Sequence, residues 1–248
     1  DSSSYLRDLG HNDGLEQLID AVEKIDGVKT ARILYLYPST TTHNLIDKIA
    51  DSKVFVNYFD MPLQHISQNM LKIMKRGKGA EKLIELMNYM KSKPNSFVRT
   101  TFIAGHPGES EEDFEELCSF VEEFGFDRGN VFSYSDEEGT SAETRDDKIE
   151  QELIDERAEI LGDIISQTTI KSLENDIGKS FEVYIDGESE EHEYLLSARK
   201  TIWAPQIDGE IYINDNEDNI PIVFGEIYEV EATQLAGDKL LAKIIRKV

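Results

Sequence analysis

Two hydrophobic rhythms alternate along the N-terminal part of the chain. Short runs rich in Val, Ile, Phe and Tyr give way to stretches whose apolar residues recur every three or four positions, the pattern of strands followed by amphipathic helices. Strands are expected at Ala31 to Tyr37, ended by Pro38; at Val54 to Phe59, ended by Met61-Pro62; at Phe97 to Ala104; and at Asn130 to Tyr134. Between them, Thr40 to Thr42 can cap a helix with Leu45, Ile46 and Ile49 on one face. Ser67 can cap a second with Met70, Leu71 and Met74, and a third follows through Leu83, Leu86, Met87 and Met90. Ser110 and Asp113 make a capping pair ahead of the stripe Phe114, Leu117, Val121 and Phe124. This alternation predicts βαβ units around a parallel sheet, an α/β fold.

The rhythm then changes twice. Residues 146 to 176 predict one long charged helix with Ile149, Leu153, Ile154, Leu161, Ile164 and Ile165 as its buried stripe. From Gly178 onward the period falls to two, with strands at Phe181 to Ile185, Tyr194 to Arg199, Glu210 to Ile213, Ile227 to Gln234 and Leu240 to Ile245. Short strands at this spacing predict a small antiparallel β-barrel of the OB-like kind. Three parts are therefore expected: an α/β part over 1–145, a linking helix over 146–177 and a barrel over 178–248.

Composition narrows the functional classes. With 248 residues, 39% of them hydrophobic and 31% charged, the chain reads as a globular protein rather than a disordered one. No apolar run approaches a bilayer span and no signal peptide opens the chain, so a cytoplasmic monomer without membrane contact is expected. The formal charge of −24 repels phosphate backbones, which disfavours free nucleic acid and favours a basic protein partner. A single cysteine, Cys118, excludes internal disulfides and any multi-cysteine metal site built from this chain alone. Beside Leu117 on an apolar helix face, it reads as a core residue. The polar opening Asp1-Ser2-Ser3-Ser4-Tyr5, without a methionine, reads as the start of a piece of a longer polypeptide.

Candidate chemistry collects where the strands end. Ligands of parallel sheets bind beyond the carboxyl ends of strands, and the polar residues Tyr37, Gln64, His65, Tyr134 and Ser135 stand there. So does the turn Gly105-His106-Pro107-Gly108-Glu109, whose glycines allow backbone N–H groups to approach a ligand closely. His65 reads equally as a hydrogen-bonded loop residue, and His106 as an exposed one. Glu109 has the choice between a ligand and the dipole of the helix that follows. Glu137 and Glu138 are either substrate contacts or a solvated loop, and the methionines at helical spacing read as core.

The segment Arg99-Thr100-Thr101-Phe102-Ile103-Ala104-Gly105-His106-Pro107-Gly108-Glu109-Ser110-Glu111-Glu112-Asp113-Phe114 resembles the R-x-T-F-I-x-G-x-P-G-E-x-E-x-D-F element of the radical S-adenosylmethionine (SAM) methylthiotransferases. Met61-Pro62-Leu63-Gln64-His65-Ile66-Ser67 resembles the P-L-Q-H-x-S of members acting on ribosomal protein uS12, where tRNA-modifying members usually read P-x-Q-S-G-S. Tyr134-Ser135-Asp136-Glu137-Glu138-Gly139-Thr140 is similar to the Y-S-x-E-E-G-T of the same uS12-directed members. Towards the end, Arg199 and the turn Ala204-Pro205-Gln206-Ile207-Asp208-Gly209 resemble the family's TRAM domain, with Trp203 and Gln206 standing where the pattern has Asp and Glu.

The resemblance implies a partial (βα) barrel of the TIM-like radical-SAM kind followed by a TRAM barrel. It implies SAM contacts near Arg99, Thr101, Gly105 and Pro107, joining Tyr37, Gln64, His65, Tyr134 and Ser135, and substrate contacts at Glu137, Glu138, Arg199 and Asp208. It implies methylthiolation of the β-carbon of an aspartate in uS12 on the small ribosomal subunit. Adenosine in tRNA, or a non-catalytic TRAM-type binding module, are the alternatives. The family also carries two 4Fe-4S clusters, whose C-x-x-x-C-x-x-C loop and further cysteines lie upstream of Asp1, so this chain alone is expected to bind neither and to be inactive. One geometric requirement follows: the loops after Gln64, Gly105 and Tyr134 must meet at one end of the sheet.

Overall fold

In the computed structural model, which describes residues 1–77, 79–216 and 219–248, four N-terminal strands lie parallel and side by side in chain order. They are β1 (Ala31–Ile33), β2 (Phe55–Asp60), β3 (Phe97–Ala104) and β4 (Arg128–Ser133). Helix α1 (Gly14–Val22) precedes β1, and α2 (His43–Ala50) follows it. Two helices, α3 (Gln68–Ile73) and α4 (Ala80–Lys91), follow β2; α5 (Glu111–Phe124) follows β3 and α6 (Gln151–Glu174) follows β4. A strand order that never reverses is that of a singly wound barrel wall, not of a doubly wound sheet.

Local chemistry sets where these helices begin. The side chains of Thr42, Ser67 and Ser110 accept from the backbone N–H groups of Leu45, Met70 and Asp113, and Asp113 completes a capping box. Burial sets the faces. Phe59, Val98 and Phe102 of the sheet share one core with Ile46, Leu71, Met87, Leu117 and Leu161 of the helices. Along β3, Val98, Thr100, Phe102 and Ala104 are buried, while Arg99, Thr101 and Ile103 are half-buried on the opposite face. Asn130 and Phe132 of β4 lie level with Thr101 and Ile103, and Phe132 is 59% exposed, so this second face is open.

The structure departs from the sequence pattern in three places of this region. The strand expected over Ala31 to Tyr37 stops at Ile33, because Tyr35 takes a left-handed φ of 59°. Buried Asp60 then captures the chain, its carboxylate accepting from Tyr35 N–H and its carbonyl from Leu36 N–H. Helix α6 starts at Gln151, and Leu153 is 38% exposed; the buried face instead runs through Ile154, Arg157, Leu161, Ile165 and Thr168. Residues Ser2–Ser4, given no element by the sequence pattern, form a 3-10 turn.

The chain divides into two compact units, Asp1–Thr168 and Thr169–Val248, so the boundary falls within α6. The second unit is a closed barrel of β5 (Ser180–Glu188), β6 (Leu196–Lys200), β7 (Ile211–Asp215), β8 (Ile227–Ala236) and β9 (Lys239–Lys247), in the order β5-β6-β7-β9-β8. All its pairings are antiparallel except β7 with β9. That exception is required by counting: an odd number of strands cannot alternate direction around a closed ring. Strict alternation of buried and half-buried residues along the first part of β8 and of β9 fills the interior, and Trp203 is 1% exposed. Tyr194, expected to begin β6, is fully outside it at φ 74°. Among the described residues, no helix is long and apolar enough to cross a membrane.

Candidate functional site

Three loops meet at the carboxyl ends of β2, β3 and β4. Beyond β2 the chain runs on beside β3: Gln64 N–H donates to Thr101 O at 2.9 Å and Gln64 O accepts from Ile103 N–H at 2.9 Å. Gln64 does this at φ 70°, a left-handed turn that separates it from the strand proper. On the other side, Tyr134 N–H donates to Ala104 O at 2.8 Å. The helices behind are tied as well. Asp113 accepts from Ser67 Oγ, from Asn69 Nδ2 at 2.8 Å and from Ser110 N–H at 3.1 Å, so one carboxylate joins the start of α3 to the start of α5. Burial pushes the Asp113 carboxyl up, but these hydrogen bonds outweigh it and hold it below the ordinary carboxylate value.

Between these loops lies a cleft of about 450 Å³, a size ordinary for small-molecule sites. Gln64, Ile103, His106, Tyr134, Ser135 and Glu137 line it, with Met74 and Arg76 from the end of α3. His106 is buried, not the exposed turn residue its sequence position suggests, and its ring packs edge-on against Tyr134 at 5.0 Å. Burial pushes its pKa down, so the neutral ring prevails at pH 7. Its Nδ1 lies 2.9 Å from Pro107 O, which can only accept, so Nδ1 carries the proton and Nε2 is an acceptor. Burial, then the hydrogen bond to Asp136 at 2.9 Å, pushes the Tyr134 phenol up to about 12. Arg76 stacks on the Tyr37 ring at 5.1 Å and donates from Nη2 to Pro62 O at 2.6 Å, while its buried Nε has no acceptor.

Beneath the cleft the polar groups face one another. Gly105 N–H donates to the Glu109 carboxylate at 3.0 and 3.2 Å, and Gly108 N–H donates to Asp147 O at 3.1 Å. These two amides are therefore engaged within the protein rather than offered to a ligand. Gly105, at φ 79°, leaves no alternative side chain: a Cβ would lie 2.6 Å from Ile154 Cγ1. His65 is wholly buried. Its Nδ1 accepts from Ser67 N–H at 3.0 Å, which places the proton on Nε2, 3.5 Å from Glu109 Oε2.

Of the residues singled out in the sequence, Gln64, Tyr134, Ser135 and Glu137 share the cleft. Pro107 lines a small adjoining cavity of about 100 Å³ with Tyr134 and Ser135. Tyr37 reaches the cleft only through Arg76. Arg99 lies lower on the open sheet face, donating from Nη1 to buried Asp60 at 3.1 Å, with half-buried Thr101 two residues on. Glu138 is exposed and outside the cleft wall. In the second unit, Arg199 lines a cavity of about 670 Å³ among Asp186, Glu188, Glu190 and Glu210, pairs with Asp186 at 2.9 Å and stacks on Tyr184. Burial raises the Asp186 carboxyl, with Arg199 opposing. Asp208 is wholly buried and closes the turn before β7 by accepting from Ala204 N–H at 2.7 Å. Sequence reasoning missed Arg76, which nothing distinguishes from the neighbouring lysines Lys72 and Lys75. It also missed Arg157, whose spacing from Ile154 and Leu161 on a buried stripe is a usable signal.

Comparison with known proteins adds an independent line. The radical SAM superfamily profile matches residues 8–121 and the TRAM domain profile residues 177–245. The chain is 77% identical over 248 residues to the ribosomal protein uS12 methylthiotransferase RimO of Aliarcobacter butzleri (strain RM4018), covering 99% of this chain and 56% of that protein. It is 60% identical to the protein of the same name from Sulfurovum sp. (strain NBC37-1), with 100% and 56% covered, and 53% identical to that of Campylobacter jejuni (strain RM1221), with the same shares. The chain thus spans about half the length of the curated relatives it matches. Among solved structures, coproporphyrinogen III oxidase (HemN) from Escherichia coli, titled a radical SAM enzyme, superposes with a TM-score of 0.53 at 16% identity over 64% of this chain and 37% of that one, a likeness of fold alone. Identity of this extent to the uS12-directed members, with both domain matches in place, shows that the chain belongs to the radical-SAM methylthiotransferase family.

Proposed function

We propose that the polypeptide to which this chain belongs methylthiolates the β-carbon of an aspartate in ribosomal protein uS12 in the cytoplasm, and that the cleft between the loops after β2, β3 and β4 is its SAM site. The observation that carries the reading is the meeting of Gln64, His106 and Tyr134 around one cavity in a chain 77% identical to a protein named for that activity. The cavity has the makings of a nucleoside and amino-acid site. Ile103 and Met74 offer apolar walls; His106 Nε2 and the Gln64 amide offer polar partners. The orphaned Arg76 Nε is a donor suited to a carboxylate. SAM, when bound and given one electron by a cluster held elsewhere in the polypeptide, would supply radical chemistry that side chains cannot.

What the chain itself contributes is binding and order. Tyr134, kept protonated by burial and by Asp136, gives its one O–H to that carboxylate and so keeps its phenol oxygen at the cleft wall as an acceptor, and Asp136 is held in turn by Lys148. Neutral His106 adds no charge beside a sulfonium. The iron–sulfur clusters are a different matter. Cys118, the single cysteine, is packed against the core from α5, and burial raises its thiol to about 11. A cluster takes several thiolates, so these residues do not fit one and no cluster chemistry is assigned to them. From Gly178 onward, seven Lys and Arg face about twice as many Asp and Glu, a balance suited to a basic ribosomal protein rather than tRNA.

The experiment offers the full-length polypeptide, with clusters reconstituted, both small ribosomal subunits and tRNA. Mass spectrometry is expected to find a methylthio group on an aspartate of uS12. Modification of tRNA adenosine alone would overturn the assignment of the target.

A further inference from the structure

A buried charge needs a reason, because desolvating it is costly unless it is paired and hydrogen-bonded. Arg157 is the buried arginine of α6, in a stretch that lies outside both profile matches. Its Nη1 donates to Glu109 Oε1 at 2.8 Å and to Glu109 O at 3.1 Å, and its Nη2 donates to Glu111 Oε2 at 2.9 Å. The guanidinium also lies over the Phe114 ring, 5.2 Å from its centre. Glu109 in turn accepts from Gly105 N–H with both carboxylate oxygens. The next residue, His106, lines the cleft. A chain of contacts thus runs from α6 through Glu109 to the backbone step that presents His106.

Stability alone does not call for this arrangement, since a well-packed apolar pair often serves as well as a buried ion pair. What the fork of Arg157 adds is direction. It holds the Glu109 carboxylate from one side, so that both oxygens remain turned towards Gly105 N–H directly beneath the cleft. We propose that Arg157 is a positioning residue of the SAM site, fixing the Gly105–His106 step through Glu109 in the form that SAM meets. This rests on the reading of the cleft as the SAM site.

The test uses the full-length polypeptide with clusters reconstituted, measuring SAM affinity by equilibrium dialysis and, separately, the KM for uS12. Arg157→Lys keeps the charge but loses the fork, and is expected to weaken SAM binding about tenfold with the KM for uS12 within about twofold of wild type. Arg157→Met should weaken it at least as much. The double variant Arg157→Met with Glu109→Gln removes both charges yet leaves an amide oxygen for Gly105 N–H, and should recover SAM affinity to within about threefold. Ile103→Trp, which fills the cleft, should abolish SAM binding. Lost affinity in Ile103→Trp beside unchanged affinity in Arg157→Lys overturns the positioning role and leaves the SAM site standing. Equal weakening towards SAM and uS12 with no recovery in the double variant also overturns it, because that is the mark of a structural role. Unchanged SAM affinity in Ile103→Trp overturns the SAM site itself, and the positioning role with it.

Discussion

The two units bury polar groups very differently. In the sheet unit Asp60, His65, Ser67, His106, Glu109, Asp113 and Arg157 are all buried, and they gather at the carboxyl ends of β2 and β3. In the barrel unit, among the described residues, Asp208 is the buried charged or polar side chain. The difference follows from topology. A closed barrel pairs its own backbone all the way round and needs only apolar side chains inside, whereas a parallel sheet ends in loops whose amides and caps must find partners. Polar burial is therefore concentrated near the place where a ligand can be held, and the barrel keeps its order with Asp208 alone among the described residues.

That contrast can be broken by mutation. The largest expected effect is in the sheet unit: Arg157→Met strands the Glu109 carboxylate and should cost about 3–5 kcal/mol in urea unfolding of the full-length polypeptide. In the barrel, Asp208→Ala leaves Ala204 N–H without its acceptor and should cost about 1–3 kcal/mol. Hydrogen exchange should quicken in β8 and β9 and stay unchanged in β3. An equal or larger loss from Asp208→Ala than from Arg157→Met would remove the distinction between the units.

A smaller effect sharpens it. The folded pKa of Asp113 lies below the ordinary value, so its stabilising contribution is complete above the unfolded carboxylate value of about 4. It is lost as pH falls through the lower folded value. Asp113→Asn should flatten the dependence of stability on pH below about 4 and leave the dependence between pH 7 and 8 as it is. An undiminished acid slope in the variant would show that the Ser67, Asn69 and Ser110 hydrogen bonds do not hold the carboxylate.

Much of the fold is written locally and could be read from the sequence. The caps at Thr42, Ser67 and Ser110 act within three residues, and the alternation along Phe97 to Ala104 marks β3 at both ends. What escapes is what depends on distant partners. Nothing near Tyr35 announces that Asp60, 25 residues on, will take its N–H and end β1. Helix α1 was open to the same periodic reading as the others, through Leu15 and Ile19, yet its short span and flanking polar residues hide it. The site divides in the same way. The loop ends that carry Gln64, Tyr134, Ser135 and Glu137 follow from strand positions. The burial of His65 and Asp208, and the use of Gly105 N–H by Glu109, arise from contacts that no local pattern encodes.

The most direct measurement is a hydrogen-exchange footprint of SAM on the full-length polypeptide with its clusters reconstituted. Amides at Gln64, Ile103 to His106 and Tyr134 to Thr140 should slow together by about tenfold or more when SAM is added, while those of β5 to β9 keep their rates. Protection confined to other segments, or to one of the three loops without the others, would contradict the account.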